Sequence, residues 1–539
     1  MNQSPPLQGG NLFTGDRVLV ESLAAFAPAM PREELELIGA LAGDPETIAL
    51  GFDANAYPPE LHTHDANGNR IDEVRFHPSW HRLLAYATSF GLSAAAWHDV
   101  QPLAHLRRAA AFYVWSQVES GHGCPISMSY AAVATLRVQP DLASVWEPRL
   151  SQRGYEPALL PVEHKRAALC GMGMTEKQGG SDVRANTTRA VAESVGGPGR
   201  PYRLTGHKWF CSAPMSDGFL VLAQAPGGLS CFLVPRVLAD GRRNTFLIQR
   251  LKEKLGNRSN ASAEVEFERT QGHLVGEEGR GLAAIVEMVN YTRLDCMLGS
   301  AALVRQALAQ ALHHARYRRA FGKPLLEHPL MRNVLADIAL ESEAATWLCM
   351  RLARAVDDGD AELRRIGTAV GKYWICKRTP VLVGEALECL GGNGYVESSI
   401  LPRLYREAPL NSIWEGAGNI NALDVVRILR KQPAAFEALH AQWAAAREEP
   451  RVAAAVRAFE ASLRDEEARE SQARTIAEQA ALIWQASLLL AHAPHDVADA
   501  FVRSRLCSEG GRALGTLPPE CRLGAILDRA APQPAEVVA

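Results

Sequence analysis

Residues 171–182 read Gly-Met-Gly-Met-Thr-Glu-Lys-Gln-Gly-Gly-Ser-Asp, and the hydrophobic period of the chain changes at this stretch. Upstream, residues 80–90 and 104–119 carry apolar side chains at the three-to-four spacing of a buried helix face. Downstream, residues 202–210, 218–223, 231–234, 246–251 and 263–267 are short β-rich runs separated by turn chemistry such as Gly227-Gly228 and Asp240-Gly241. Several such runs within about 100 residues predict a small barrel or sandwich. After Gly281 the helical period returns, and residues 282–317, 330–357, 362–390 and 420–430 form long amphipathic stretches joined by Gly- or Pro-marked turns. That pattern predicts an antiparallel bundle. A further alanine-rich helical block runs from about residue 436, with a break at Pro518-Pro519. Residues 1–31 read as irregular, residues 65–69 as a polar turn and the last ten residues as a frayed end. The expected fold is mainly α with a small β-domain: an N-terminal helical domain (1–168), a β-domain (169–275), a helical bundle (276–438) and an appended C-terminal helical domain (439–539).

The 539 residues hold 57 Lys and Arg against 60 Asp and Glu, a formal net charge of −3, which excludes a generally polybasic nucleic-acid binder. Ten cysteines are scattered with no two at Cys-x-x-Cys spacing, so neither a zinc ribbon nor a redox dithiol is indicated. Single cysteines in a large chain read as reduced and cytoplasmic. Residues 1–10 are polar and proline-bearing, without the apolar core of a signal peptide. The longest apolar stretch, 480–493, is interrupted by Gln485 and is too short to cross a bilayer, so no membrane association is expected.

Five constellations carry chemistry. The opening stretch can present backbone N–H groups and the hydroxyls of Thr175 and Ser181 to an anion or a heterocycle edge. Trp209, in Gly206-His207-Lys208-Trp209-Phe210, can stack on a planar ligand. Arg318-Arg319-Ala320-Phe321-Gly322, between two helices, suits a bidentate phosphate contact. Gly391-Gly392-Asn393-Gly394-Tyr395 lets a ligand approach the backbone closely. Glu415, in Trp414-Glu415-Gly416-Ala417-Gly418-Asn419, is a carboxylate with an apolar flank and a candidate general base. Each of these also serves ordinary structural ends: a domain-crossing loop, a core tryptophan, a basic helix cap, a plain turn, a partner for a helix dipole.

Taken in order, the five resemble the acyl-CoA dehydrogenase family. Residues 174–182 are similar to its first signature, normally T-E-P-x-A-G-S-D, with Lys177 where proline is usual. Residues 390–419 are similar to its second, with G-G-x-G-Y, then Arg406, then an aromatic-Glu-Gly motif. Lys254-Leu255-Gly256-Asn257-Arg258 and Gly276-Glu277-Glu278-Gly279 also fall in family positions, and the resemblance covers residues 80–430. K-L-G-N-R-S-N-A-S (254–262), P-R-L-Y-R-E (402–407), N-S-I-W-E-G (411–416) and the extra hundred residues at the C-terminus resemble the branch of that family linked to the DNA alkylation response.

The resemblance implies FAD. Met174, Thr175, Gly180 and Ser181 would meet the flavin and pyrophosphate region, and Trp209, Phe210 and Cys211 would cover the flavin face. Cys211 stands where threonine is usual, which leaves a backbone contact. Arg318, Phe321, Gly391, Gly392 and Gly394 would hold the adenosine diphosphate half, bound mainly by a neighbouring subunit, so a homotetramer built as a dimer of dimers is implied. Trp414, Gly416 and Asn419 would flank the site, with Glu415 as the base that takes the α-proton of an acyl-CoA. Branched-chain members place the base immediately before the arginine of the first bundle helix; here Thr292 precedes Arg293, which leaves Glu415. The implied activity is α,β-dehydrogenation of short or branched acyl-CoA, with low turnover.

The same branch implies a second reading: a non-specific double-stranded DNA-binding protein in which turnover is vestigial. Residues 441–539 contain eleven arginines and no lysine against fourteen carboxylates, and phosphate neutralisation drives duplex affinity, so net charge opposes it. Arg447 and Arg451, one helical turn apart, with Arg503, Arg505 and Arg512, could still form a basic stripe.

Overall fold

The computed structural model describes residues 2–99, 101–464, 469–507 and 509–532. Residues 533–539, most of the stretch read as a frayed end, lie outside the described residues. Contacts divide the chain into two compact units: 49–104 with 119–292, and 1–48 with 105–118 and 293–539.

The first of these units holds the sheet. A hairpin of β1 (Glu60–His64) and β2 (Arg70–Arg75) interrupts the front of the chain, where only helix was expected. Its turn is the polar segment foreseen there, with Asp65 Oδ1 accepting from the backbone N–H of Asn67 and of Asn69, both at 2.8 Å. The larger sheet comprises β3 (Cys170–Gly173), β4 (Arg189–Ala192), β5 (Pro201–Ser212), β6 (Gly218–Ala225), β7 (Gly228–Pro235), β8 (Phe246–Leu251) and β9 (Ser262–Val275). The pairings β6–β7, β7–β9, β9–β5 and β5–β4 run round to a parallel β4–β6 bridge at Arg189 and Gln224, closing a barrel. Phe219, Phe232, Phe246, Phe267 and Tyr202 fill its interior. Gly218 opens β6 against Trp146: a Cβ there would stand 2.4 Å from the indole, so only glycine lets the strand start beneath helix Pro140–Leu150.

The second unit is helical. Helices Pro329–Asp357, Ala361–Cys389 and Gly418–Lys431 pack together with the part of helix Gly281–Tyr317 from residue 293 onward. The C-terminal block packs directly on them through helix Ala473–His492. A Cβ at Gly367 would come 2.3 Å from Leu352 and 2.9 Å from the Trp484 ring, so this glycine brings helix Ala361–Cys389 close to two neighbours at once. Residues 1–31 are not wholly irregular: Arg17–Phe26 is a helix. Asp16 caps it by accepting from Leu19 N at 3.2 Å, while Val18, Leu19 and Leu23 are buried against helix Pro329–Asp357. Ten residues give too few turns for the helical period to stand out of the sequence. Among the described residues no helix is long and apolar enough to cross a membrane.

Candidate active site

Glu415 sits in a turn between the short helical turn Leu410–Ser412 and helix Gly418–Lys431. Its φ is +57° and that of Gly416 is +96°. A left-handed backbone at a glutamate is sparsely populated and persists where its surroundings over-determine it. Four consecutive carbonyls are held here. Lys372 Nζ donates to Trp414 O at 2.6 Å and to Gly416 O. Arg293 Nε donates to Glu415 O at 3.1 Å. Asn421 Nδ2 donates to Gly416 O and, at 3.2 Å, to Ala417 O. Trp414 is fixed separately, its Nε1 donating to Asn411 Oδ1 at 2.9 Å.

The two cations of this cradle differ in their balance. Arg293 also donates to Asp424 Oδ2 at 2.7 Å, and Arg365 binds the same carboxylate through both nitrogens at 2.7 and 3.0 Å. Burial works against the Asp424 anion, yet these guanidinium groups outweigh it and hold the carboxyl well below its usual range. Lys372 is 1% exposed and donates to the main-chain oxygens of Trp414 and Gly416, and burial lowers its ammonium below the ordinary lysine value. The sequence reading passed over Lys372 and Asp424. The signal available for Lys372 was a lysine amid the apolar positions Val370, Tyr373 and Trp374 of a buried helix.

Two further groups lie in the same unit. Arg319–Ala320 pairs with Lys323–Pro324 as a two-residue hairpin, with φ +49° at Phe321 and +84° at Gly322. Positive φ at both central residues is the I′ geometry that matches strand twist. It leaves Phe321 96% exposed. Gly391 has φ +57°, and neither it nor Gly392 has any atom within 4 Å of where a Cβ would stand. Gly394 is buried, and a Cβ there would meet Leu387 O at 2.2 Å. Asn419 Oδ1 accepts from Arg474 Nε at 2.8 Å.

The remaining group belongs to the barrel unit. Thr175 O accepts from Trp209 N at 2.9 Å, which lays the 174–182 loop beside β5. A Cβ on Gly180 would fall 2.5 Å from Thr175 Oγ1, so glycine is required there. Ser181 is exposed, Met174 and Trp209 are half-buried, and Phe210 is exposed. The Cys211 thiol is buried in the barrel core, where burial pushes it up to about 12, so this position offers a ligand its backbone alone. Glu176, quoted in the motif without a role, anchors the loop: fully buried, it accepts from Lys208 Nζ at 2.8 Å, Thr187 N at 2.6 Å and Thr188 N at 3.1 Å. Burial opposes the Glu176 anion, but Lys208 and these donors prevail and bring its pKa down to about 2. Lys252 Nζ stands 3.3 Å from the Trp209 ring centroid, with Lys177 at 5.5 Å.

The tail arginines are largely engaged. Arg447 pairs with Glu460 at 2.8 Å, Arg451 with Glu449 and Asp499 at 2.8 Å each, and Arg503 with Asp499 at 2.8 Å and Glu509 at 3.1 Å. Arg505 reaches Glu341 at 2.9 Å and also Asp337, both buried on helix Pro329–Asp357. Arg512 is exposed.

Known families match most of the chain. The description "Adaptive response protein AidB N-terminal domain" matches residues 2–157, "Acyl-CoA dehydrogenase, middle domain" residues 171–270, and "Acyl-CoA dehydrogenase, C-terminal domain" residues 279–429. The AidB protein of Escherichia coli (strain K12) is 46% identical over 517 residues, 95% of this chain and 94% of its own. Among solved structures, Caenorhabditis elegans ACDH-11 in complex with C11-CoA superposes with a TM-score of 0.83 at 27% identity, covering 94% of this chain and 92% of its own. The apo form of Bd2924 superposes with a TM-score of 0.81 at 28% identity, over 91% and 99%. The order of domains, the two signature loops and an end-to-end relative agree: the chain belongs to the acyl-CoA dehydrogenase family, in its AidB branch.

Proposed function

We propose that this protein is an FAD-dependent acyl-CoA dehydrogenase that oxidises the Cα–Cβ bond of short or branched acyl thioesters at low turnover, with Glu415 as the base. The observation that carries the reading is the Glu415 turn, where a left-handed backbone is braced at four successive carbonyls by Lys372, Arg293 and Asn421. Such bracing serves a carboxylate whose direction matters.

The residues present fit FAD. Exposed Ser181 and half-buried Thr175 offer hydroxyls beside Trp209, an aromatic face for the ring system. Arg318 offers a guanidinium, Phe321 an exposed ring, and Gly391 and Gly392 an unobstructed backbone, the donor set that a pyrophosphate and a flat base require. FAD, when bound, supplies a hydride acceptor for the substrate β-carbon. The protein's part is to remove the α-proton. Glu415 accepts it, Lys372 and Arg293 hold the turn so that the carboxylate keeps one direction, and Trp414 keeps water from one flank.

The decisive experiment is an absorbance spectrum of the purified protein, then anaerobic mixing with thioesters from short and branched chains up to C11-CoA, the ligand of the ACDH-11 structure. Flavin should copurify and bleach with at least one thioester. Glu415→Gln, isosteric but unable to take a proton, should lose on the order of 10²-fold or more in bleaching rate while keeping its flavin. An equal rate in both proteins would remove Glu415 from the role.

We also infer a homotetramer arranged as a dimer of dimers. Phe321 and Tyr395, 96% and 80% exposed in one chain, are large rings of the kind that a second copy covers. Kinship with AidB supports a part in the DNA alkylation response, which survival of a strain lacking the protein under a methylating agent would test. The duplex-binding alternative asks Arg447, Arg451, Arg503 and Arg505 to exchange the carboxylates they already hold for phosphates, which favours the enzyme.

A further inference from the structure

Residues 2–5, Asn-Gln-Ser-Pro, carry no motif, and reach a helix end, the hairpin after it and a glycine turn about 70 residues further on. Asn2 makes a two-point contact with the hairpin: its Nδ2 donates to Arg319 O at 2.7 Å and its Oδ1 accepts from Arg319 N at 2.8 Å. Its carbonyl accepts from Arg318 Nη1. Gln3 Oε1 accepts from Asn393 Nδ2 at 2.9 Å, in the middle of the Gly391–Gly394 turn. Ser4 Oγ meets His314 Nδ1 at 3.0 Å, and Pro5 O accepts from His313 Nε2 at 2.8 Å, both on the helix that ends just before Arg318. Six hydrogen bonds from four consecutive residues thus tie together one helix end, one hairpin and one glycine turn.

The hairpin and the glycine turn are otherwise poorly placed to hold a fixed relation. Phe321 is almost fully exposed, and Gly391 and Gly392 have open space about them. A long guanidinium side chain on an exposed hairpin is costly to order, and a strap that orders it beforehand makes ligand binding tighter.

We propose that residues 2–5 form a positioning strap that presets Arg318 and the Gly391–Gly394 turn as one receptor for a nucleotide diphosphate, the adenosine diphosphate half of FAD. The proposal rests on the FAD reading above. The strap touches the receptor through Asn2 and Gln3 and acts through Arg318.

The test uses full-length protein stripped of flavin and titrated with FAD by fluorescence quenching. Beside it run a variant lacking residues 2–5, Arg318→Ala, and the two combined. Loss of the strap should weaken FAD binding about tenfold, the cost of ordering one or two long side chains at the moment of binding. The thermal midpoint of the flavin-free protein should stay unchanged, and in the Arg318→Ala background the deletion should cost less than in the parent, since only its hold on the glycine turn is left to lose. Equal FAD affinity with and without the strap overturns the proposal and leaves the FAD reading standing. An undiminished effect of the deletion in the Arg318→Ala background also overturns it, since the strap would then not act through Arg318. A parent protein that binds no FAD overturns the FAD reading itself, and the strap proposal with it. If the deletion lowers the flavin-free midpoint, the pair Asn2→Ala with Gln3→Ala, which keeps the backbone, takes its place on the same criteria.

Discussion

Lys372 and Glu415 show how a residue with no motif of its own can govern one that has. Lys372→Met removes the ammonium but roughly keeps the volume, so Trp414 O loses the Lys372 donor and Gly416 O is left with Asn421 while the helix stays filled. Misplacing a reacting group by an ångström can cost on the order of 10²-fold. We expect a loss of that size in acyl-CoA-dependent bleaching, carried by kcat rather than KM, with flavin content unchanged; stopped-flow absorbance measures it. Glu176 gives a pH signature. Its folded-state pKa of about 2 lies below the ordinary 4.5, so the stability it contributes is complete above 4.5 and is lost as pH falls toward 2. Glu176→Gln strands Lys208 in the core and should cost about 3–5 kcal/mol at neutral pH, with the gap to the parent closing as acid titrates the parent's carboxylate. Thermal midpoints of both proteins between pH 7 and 2 check it. Glu415, Trp209 and the glycines of 391–394 could be put forward as candidates from the sequence because each stands in a short motif with a recognisable order. Lys372, Asp424 and the Glu176–Lys208 pair could not, since their roles arise from pairings 32 to 131 residues apart that no local pattern encodes.

The five β-runs and four long bundle helices of the sequence reading correspond to β5 to β9 and to the helices beginning at Gly281, Pro329, Ala361 and Gly418. Long elements with a clean period declare themselves. Helix Arg17–Phe26 and the β1–β2 hairpin did not, because ten or fewer residues give the period too little length and their burial depends on distant partners. The tail helices read as apolar and alanine-rich, but their use of charge was hidden. Arg529 Nε donates to both oxygens of Glu343 at 2.9 Å, and Arg529 Nη1 to Glu21 at 2.9 Å. Burial raises the Glu343 carboxyl despite Arg529, while Arg378 and Arg505 overcome the same burial at Glu341 and lower it. Arg529→Met should therefore cost about 3 kcal/mol, read as a shift in denaturant midpoint. Removing residues 439–539 takes away Arg505 and Arg529 together, and we expect the shortened chain to be insoluble or far less heat-stable, as scanning calorimetry would show. Loss of DNA binding in such a truncation would thus say nothing about DNA.

For the molecule as a whole, cofactor and assembly should be linked. A ligand that binds the assembled form stabilises it by mass action, so the midpoint should rise with free FAD and with protein concentration. Phe321→Asp, which puts a charge where a covering subunit would rest, should lower both the flavin content and the mass found by light scattering; a tetramer of unchanged mass and full flavin would count against the divided site. A short duplex at low salt should show little or no shift in a gel, because Arg447, Arg451, Arg503 and Arg505 already hold carboxylates of this chain. The same pairing bears on how the chain is made. Glu21 and Arg529 are 508 residues apart, and a ribosome adding about 5–20 residues per second separates their emergence by roughly half a minute to nearly two minutes. Over the last 186 residues of that interval Glu343 is already made while Arg529 is still untranslated, so the helical unit cannot close before Arg529 emerges. It is therefore a candidate client for a chaperone until Arg529 has left the exit tunnel.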